Sequence, residues 1–205
     1  MTPDLPAAPA LDALQAMEPC GPVSAFSDTA WAFELAGGGH RVLLQFGGGA
    51  PRLHSRHHVD IGDWFPEVAG APWPRVRRRT VLDGELCVLD ASGRNDPLRL
   101  HRRALQRGLP DEPADRAVLW VRDLLVLDGL DLRGLPWTRR RQGLHSVARL
   151  DGAHLRLSRP IDGRGEWLCG QALALGRAEL LAFRRDAPYQ GGRCAACLRI
   201  ACVPA

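Results

Sequence analysis

The sequence predicts an α+β fold, on three observations. Strand-like runs and helical segments interleave along the chain without a regular βαβ rhythm. Of the 205 residues, 45% are apolar, enough to bury a core and to argue against disorder. No apolar run reaches the roughly 18 residues of a membrane-spanning helix, so no membrane association is expected.

Residues 1–25 are rich in Ala and Pro and read as an N-terminal tail or linker, with at most a short helix over Leu11–Met17. Residues 26–205 then form the domain. Glycine triplets at 37–39 and 47–49 mark tight loops. They bracket a strand over Arg41–Phe46, and a second strand follows over Pro51–Arg56. Thr80–Asp90 and Val118–Leu127 are the longest runs of strand-forming residues. Between them, Leu98–Gln106 reads as a helix. A second helix is expected from an N-cap at Thr138 to about Leu150. Ala178–Arg185 and Leu198–Val203 complete the strands, and no internal repeat is present.

The net charge is +4, the isoelectric point is about 9.0, and all 27 basic residues are arginine. That balance suits a nucleic-acid partner without demanding one. The absence of lysine excludes any mechanism that passes through a lysyl adduct, because arginine keeps its proton and offers no amine nucleophile. The N-terminus lacks a basic segment followed by an apolar one, so no signal peptide is expected. A cytoplasmic setting follows, with the six cysteines reduced. Cys194, Cys197 and Cys202 form C-x2-C-x4-C, which would need Cys169 or a histidine to complete a zinc site. A lone CxxC is a weak signal, and free thiols are the simpler expectation.

The segment Val81–Asp90 alternates apolar and polar around Asp83-Gly84-Glu85. Asp and Gly are depleted in strands, so two readings stand. One is an irregular strand, with Gly84 marking a bulge and both carboxylates on a solvated face. The other is a nucleotide or metal site.

Four ordered stretches, from about residue 31 to 201, bear on that choice. "VLDGELCVLDASGR" resembles the third motif of ATP-dependent DNA ligase adenylation (nucleotidyltransferase) domains, especially the bacterial end-joining type. In that family the glutamate of this strand faces the nucleotide and metal. "VRDLLVLDGLDLRGLPWTRRR" resembles the family's "FDLLYLDGEDLRGLPLXERR". "WAFELAGGGHRVLLQF" and "AFRRDAPYQGGRCAACLRIA" resemble stretches at the start and end of the same domain. The resemblance implies antiparallel sheets flanked by helices around a cleft. With the family's last matching stretch close to Ala205, no OB-fold domain is expected within these residues, whereas the resemblance implies that the family uses one to close over its site and grip DNA.

Glu34, Arg41, Arg56, Glu85 and Asp123 match family positions, and the resemblance makes them a residual nucleotide site with Glu85 as metal ligand. The departures carry the functional expectation. Ala36 stands where the family has its nucleophilic lysine, and Gly38 replaces the following aspartate. Family "EGIVAK" aligns with "AELLAF", so its glutamate becomes Ala178, or Glu179 after a one-residue slip, and its lysine becomes Phe183. "WLKVK" becomes "CLRIA", placing Arg199 and Ala201 at the two lysines. Arg122 stands at the aromatic that stacks on adenine. Family chemistry forms a lysyl-AMP from ATP with magnesium, and each phosphate-stabilising cation lost raises the barrier by about 3–4 kcal/mol. A chain without lysine is expected to require neither cofactor.

The resemblance therefore implies a non-catalytic accessory or DNA-binding module in DNA repair. A residual ATP-binding nucleotidyltransferase or nucleotide sensor is the alternative. Partners would be DNA, bound without sequence preference, or repair proteins. Arg75, Arg77, Arg78 and Arg79 are the candidate phosphate contacts, preferred over Arg139–Arg141 because the latter open a helix. His54, His57 and His58 read as solvated loop histidines, and His40 lies near the vacated lysine position.

Overall fold

A computed structural model describes residues 5–73, 76–147 and 154–203. The chain divides into two compact units, each built on one sheet. The first unit holds the residues up to Ala16, Gly37–Arg133 and Arg140–Leu157. The second holds Met17–Ala36, Gly134–Arg139 and the residues from Ser158 onward. In chain order the elements are β1 (Met17–Ser24), β2 (Trp31–Leu35), β3 (His40–Phe46), β4 (Arg52–Ser55), α1 (Pro66–Ala69), β5 (Thr80–Cys87), α2 (Pro97–Gln106), β6 (Val118–Leu127), β7 (Leu130–Asp131), α3 (Trp137–Val147), β8 (Leu155–Leu157), β9 (Ile161–Asp162), α4 (Gly165–Ala174), β10 (Glu179–Arg184) and β11 (Gly192–Ala201).

The sheet of the first unit runs β4-β3-β5-β6-β7, with β8 pairing β6 in parallel. Every residue of β5 is buried, so its polar residues do not lie on a solvated face as one reading of the sequence had it. Gly84 does sit at an irregularity. The β5–β6 register moves from Asp83 opposite Asp123 to Gly84 opposite Val121, which leaves Arg122 as the extra residue of a β-bulge. Gly84 is required there by close approach, since a Cβ would lie 2.6 Å from the Trp120 carbonyl oxygen.

Asp96 caps α2, its carboxylate accepting from the N–H groups of Leu98 and Arg99. This helix anchors itself by burying Arg103 rather than an all-apolar face. The guanidinium makes two bonds to Glu67, at 2.9 and 2.6 Å, and lies over the Phe65 ring. Thr138 falls inside the first turn of α3 rather than capping it, and its N–H donates to the Arg185 carbonyl. The expected end of that helix near Leu150 lies outside the described residues.

The segment expected as a tail is built into the protein. Leu11 and Leu14 are buried, the Ala8 N–H donates to the Gly129 carbonyl, and the Arg79 guanidinium donates to the Ala8 carbonyl. Met17–Ser24 forms β1, parallel to β11. Ala and Pro content described the segment's composition, whereas its fate was decided by sheet edges elsewhere in the chain.

The second unit carries the sheet β1-β11-β10-β2-β9. One face, with Phe33, Leu180, Ala182 and Ile200, packs against Leu168, Cys169 and Ala172 of α4. Cys169 is bonded to Cys202, with 5.3 Å between their Cα atoms. This corrects the expectation of six reduced thiols and removes Cys169 and Cys202 as zinc ligands. Cysteine spacing carried no trace of the pairing, because α4 brings Cys169 to the strand end across 33 residues. No group of three or more His, Cys, Asp or Glu suited to a metal occurs among the described residues, and no described helix is long and apolar enough to cross a membrane.

Candidate active site

The resemblance points to the strand carrying Glu85, and the first unit builds an ion-pair network around it. Strand pairing sets Arg41 of β3 directly opposite Glu85, one pleat from Asp83. Residues two apart on a strand share a face, so Asp83, Glu85 and Arg41 meet on one side of the sheet. Arg41 Nη2 donates to Asp83 Oδ2 at 2.7 Å, and its Nη1 lies 3.7 Å from Glu85 Oε1. From β6, Arg122 Nε donates to the same Glu85 Oε1 at 3.0 Å. The Gly39 N–H donates to Oε2 at 3.2 Å.

The site is also tight. A Cβ at Gly37 would come within 2.5 Å of Glu85 Oε2 and 3.2 Å of Arg122 Nη2, so the glycine loop lies directly over the ion pair. The Arg122 side chain is fully buried and Glu85 is 10% exposed. Burial alone would raise the Glu85 carboxyl, but the Arg122 and Arg41 guanidiniums and the Gly39 N–H outweigh it and hold the group below its ordinary value.

The other expected site residues have separate partners. Asp123 is buried and gripped by Arg140, Nε to Oδ1 at 2.9 Å and Nη2 to Oδ2 at 2.8 Å. Within the run Arg139–Arg141, Arg139 is exposed, whereas Arg140 is buried and Arg141 Nη1 donates to the Arg122 carbonyl at 2.7 Å. Arg56 is exposed just past β4, its N–H on the Arg41 carbonyl and its Nε on His57. His54, read as solvated, is buried at 2% exposure, while His57 and His58 are exposed.

In the second unit, Glu34 is 1% exposed and accepts from Ser158 Oγ at 2.9 Å, a partner that no sequence pattern indicated. Leu181 pairs with both Glu34 and Arg199, and Glu179 pairs with Ala201. Alternation puts Glu34, Glu179, Phe183, Arg199 and Ala201 on the face opposite the α4 core. Glu179, not Ala178, shares that face with Phe183. The Phe183 ring is stacked on Trp137, with centroids 5.7 Å apart and planes 9° from parallel. Ala36 follows β2, its N–H on the Glu179 carbonyl and its own carbonyl accepting from Arg177 Nη1.

Among the candidate DNA contacts, Arg77 and Arg78 are exposed ahead of β5, Arg79 is half-buried, and Arg75 lies outside the described residues.

Comparison with known proteins bears on this arrangement. Residues 16–164 match the family model described as ATP dependent DNA ligase domain. The multifunctional non-homologous end joining protein LigD of Mycobacterium bovis is 32% identical over 173 residues, covering 84% of this chain and 22% of the relative. A probable DNA ligase of Streptomyces coelicolor is 35% identical over 166 residues, covering 76% of this chain and 31% of the relative. The chain thus spans between about a fifth and a third of these relatives' lengths. A mycobacterial DNA ligase D complexed with ATP and MES superposes with a TM-score of 0.77 at 31% identity, covering 94% of this chain and 61% of that one.

Proposed function

Because the chain belongs to the family of ATP-dependent DNA ligase domains, we propose that it serves as a non-catalytic, DNA-contacting accessory module in DNA end repair. The observation that carries this reading is Ala36, a methyl side chain at the nucleophile position of a chain that contains no lysine. Covalent adenylation needs an amine, and its loss removes the intermediate rather than slowing its formation. Phe183, stacked on Trp137, supports the reading, because the resemblance assigns that position to a phosphate-binding cation. DNA contact would run through the exposed Arg77 and Arg78, with Arg75 beside them in sequence. Arg79 serves mainly to hold the N-terminal segment through the Ala8 carbonyl.

Incubation with radiolabelled ATP and magnesium tests the proposal. No label is expected on the protein, and Ala36→Lys alone is expected to restore none, because Phe183 and Ala201 still lack their cations. An acid-labile adenylate on a histidine such as His40 would overturn the reading. The nucleotide-sensor alternative predicts ATP-dependent stabilisation without labelling.

A further inference from the structure

The resemblance gives the position of Glu85 to metal and nucleotide, and the position of Arg122 to the adenine ring. In this protein the two side chains are spent on each other. The bulge in β6 makes Arg122 the extra residue of the strand, and its guanidinium Nε lies 3.0 Å from Glu85 Oε1. Oε2 is occupied by the Gly39 N–H, and Asp83 Oδ2 by Arg41. Two carboxylates and two guanidiniums thus meet in one buried cluster.

A divalent cation fits this cluster badly. Magnesium requires near-octahedral oxygen ligands at about 2.0–2.1 Å, whereas Glu85 already accepts on both oxygens. An incoming ion would also face the positive charges of Arg122 and Arg41, which lie 3.0 and 3.7 Å from the oxygen it would need. Gly37 packs close onto the pair, with a Cβ there falling 2.5 Å from Glu85 Oε2, so the space over that oxygen is tight.

We propose that Arg122 is a built-in counter-cation, which converts the family's ligand-binding carboxylate into half of a structural ion pair and closes the site to metal and nucleotide. The inference rests on reading Glu85 as the family's metal carboxylate, and it decides against the nucleotide-sensor alternative.

Thermal unfolding of the whole chain tests it, with manganese chloride and with magnesium-ATP as probes. The natural sequence should show no shift with either at millimolar concentration. Arg122→Gln should melt several degrees lower and regain part of that loss in manganese, which takes the place of the guanidinium beside Glu85. Adding Glu85→Gln should abolish the manganese response. If Arg122→Gln fails to fold, the double variant R122L/E85L should fold and ignore manganese, since removing both charges leaves neither uncompensated. Stabilisation of the natural chain by manganese or magnesium-ATP would overturn the proposal, as would an Arg122→Gln variant with unchanged melting. Magnesium-ATP binding without label transfer would sink this inference alone and leave the non-catalytic reading standing. Label transfer would sink both.

Discussion

Arg140 holds Asp123 through two parallel N–H···O bonds, at 2.9 and 2.8 Å, with both side chains at most 2% exposed. The fork geometry is specific to arginine. Arg140→Ala strands a buried carboxylate and should cost about 3–5 kcal/mol, read as a lower urea midpoint at unchanged slope. Arg140→Lys keeps the charge but not the fork, and should recover only part of the loss. A variant within about 0.5 kcal/mol of the natural chain would show the pair to be incidental.

Arg103 gives α2 the same kind of anchor. Its guanidinium meets Glu67 and the Gly108 carbonyl, and Glu67 Oε1 also accepts from the Ala117 N–H. Arg103→Met alone should destabilise by about 3–5 kcal/mol, whereas R103M together with E67L should cost less than the sum of the two single changes, short of neutral because the buried Ala117 N–H loses its acceptor. A double-mutant cycle measures the coupling, and strict additivity would contradict it.

Stability should fall in two pH windows. Burial, with Arg52 nearby, pushes His54 below its usual value near 6.5, against the opposing pull of Asp60 and Asp12, and burial likewise lowers His154 and His40. The native state therefore keeps these rings neutral while the unfolded chain protonates. Stability is full above about pH 6.5 and declines as pH falls from there to the lowered native values. His54→Gln should flatten that slope in unfolding melts between pH 7.5 and 5. Glu85 is depressed, so its contribution is present above the ordinary carboxylate range and is lost as pH falls through its native value, below about 4.5. Glu85→Gln should shrink that second step, leaving the part carried by the other depressed carboxylates, among them Asp60 and Asp131.

DNA binding, measured by fluorescence anisotropy, should be independent of sequence and should weaken steeply with salt. Neutralising Arg77 and Arg78 should reduce the salt slope by up to about two phosphate contacts, equally on unrelated duplexes. Arg79→Gln should act on stability more than on the slope, because its guanidinium holds the Ala8 carbonyl. An unchanged slope in the Arg77/Arg78 variant would leave repair proteins as the partner class.

Legibility in the sequence followed length and period. β6 occupies the expected residues Val118–Leu127, and β3, β4, β5 and β10 differ from expectation by at most three residues at an end. β7, β8 and β9 are two or three residues long, too short for alternation to register. α4 was missed although its buried residues, Gly165, Leu168, Cys169 and Ala172, fall at helical spacing. Its two glycines and its shortness masked the pattern. β1 was missed because its composition reads as a linker, and it is a strand only because the edge of β11 receives it.

For the site, the sequence alone determined that no lysine is available anywhere in the chain, and the resemblance implies Ala36, Phe183 and Ala201 where the family places cations. The sequence also determined the family, because four ordered stretches of matching residues are local information carried along one chain. Tertiary structure decided what the remaining charges do. Glu85, Arg122, Asp83 and Arg41 come from three strands, and their pairing depends on strand register and on a one-residue bulge. Asp123 found Arg140, and Glu34 found Ser158 across 124 residues, by packing alone. Residue types state which partners are chemically possible. Burial then makes a partner obligatory, since an ion taken out of water without one is costly, and only the fold specifies which partner stands within 3 Å.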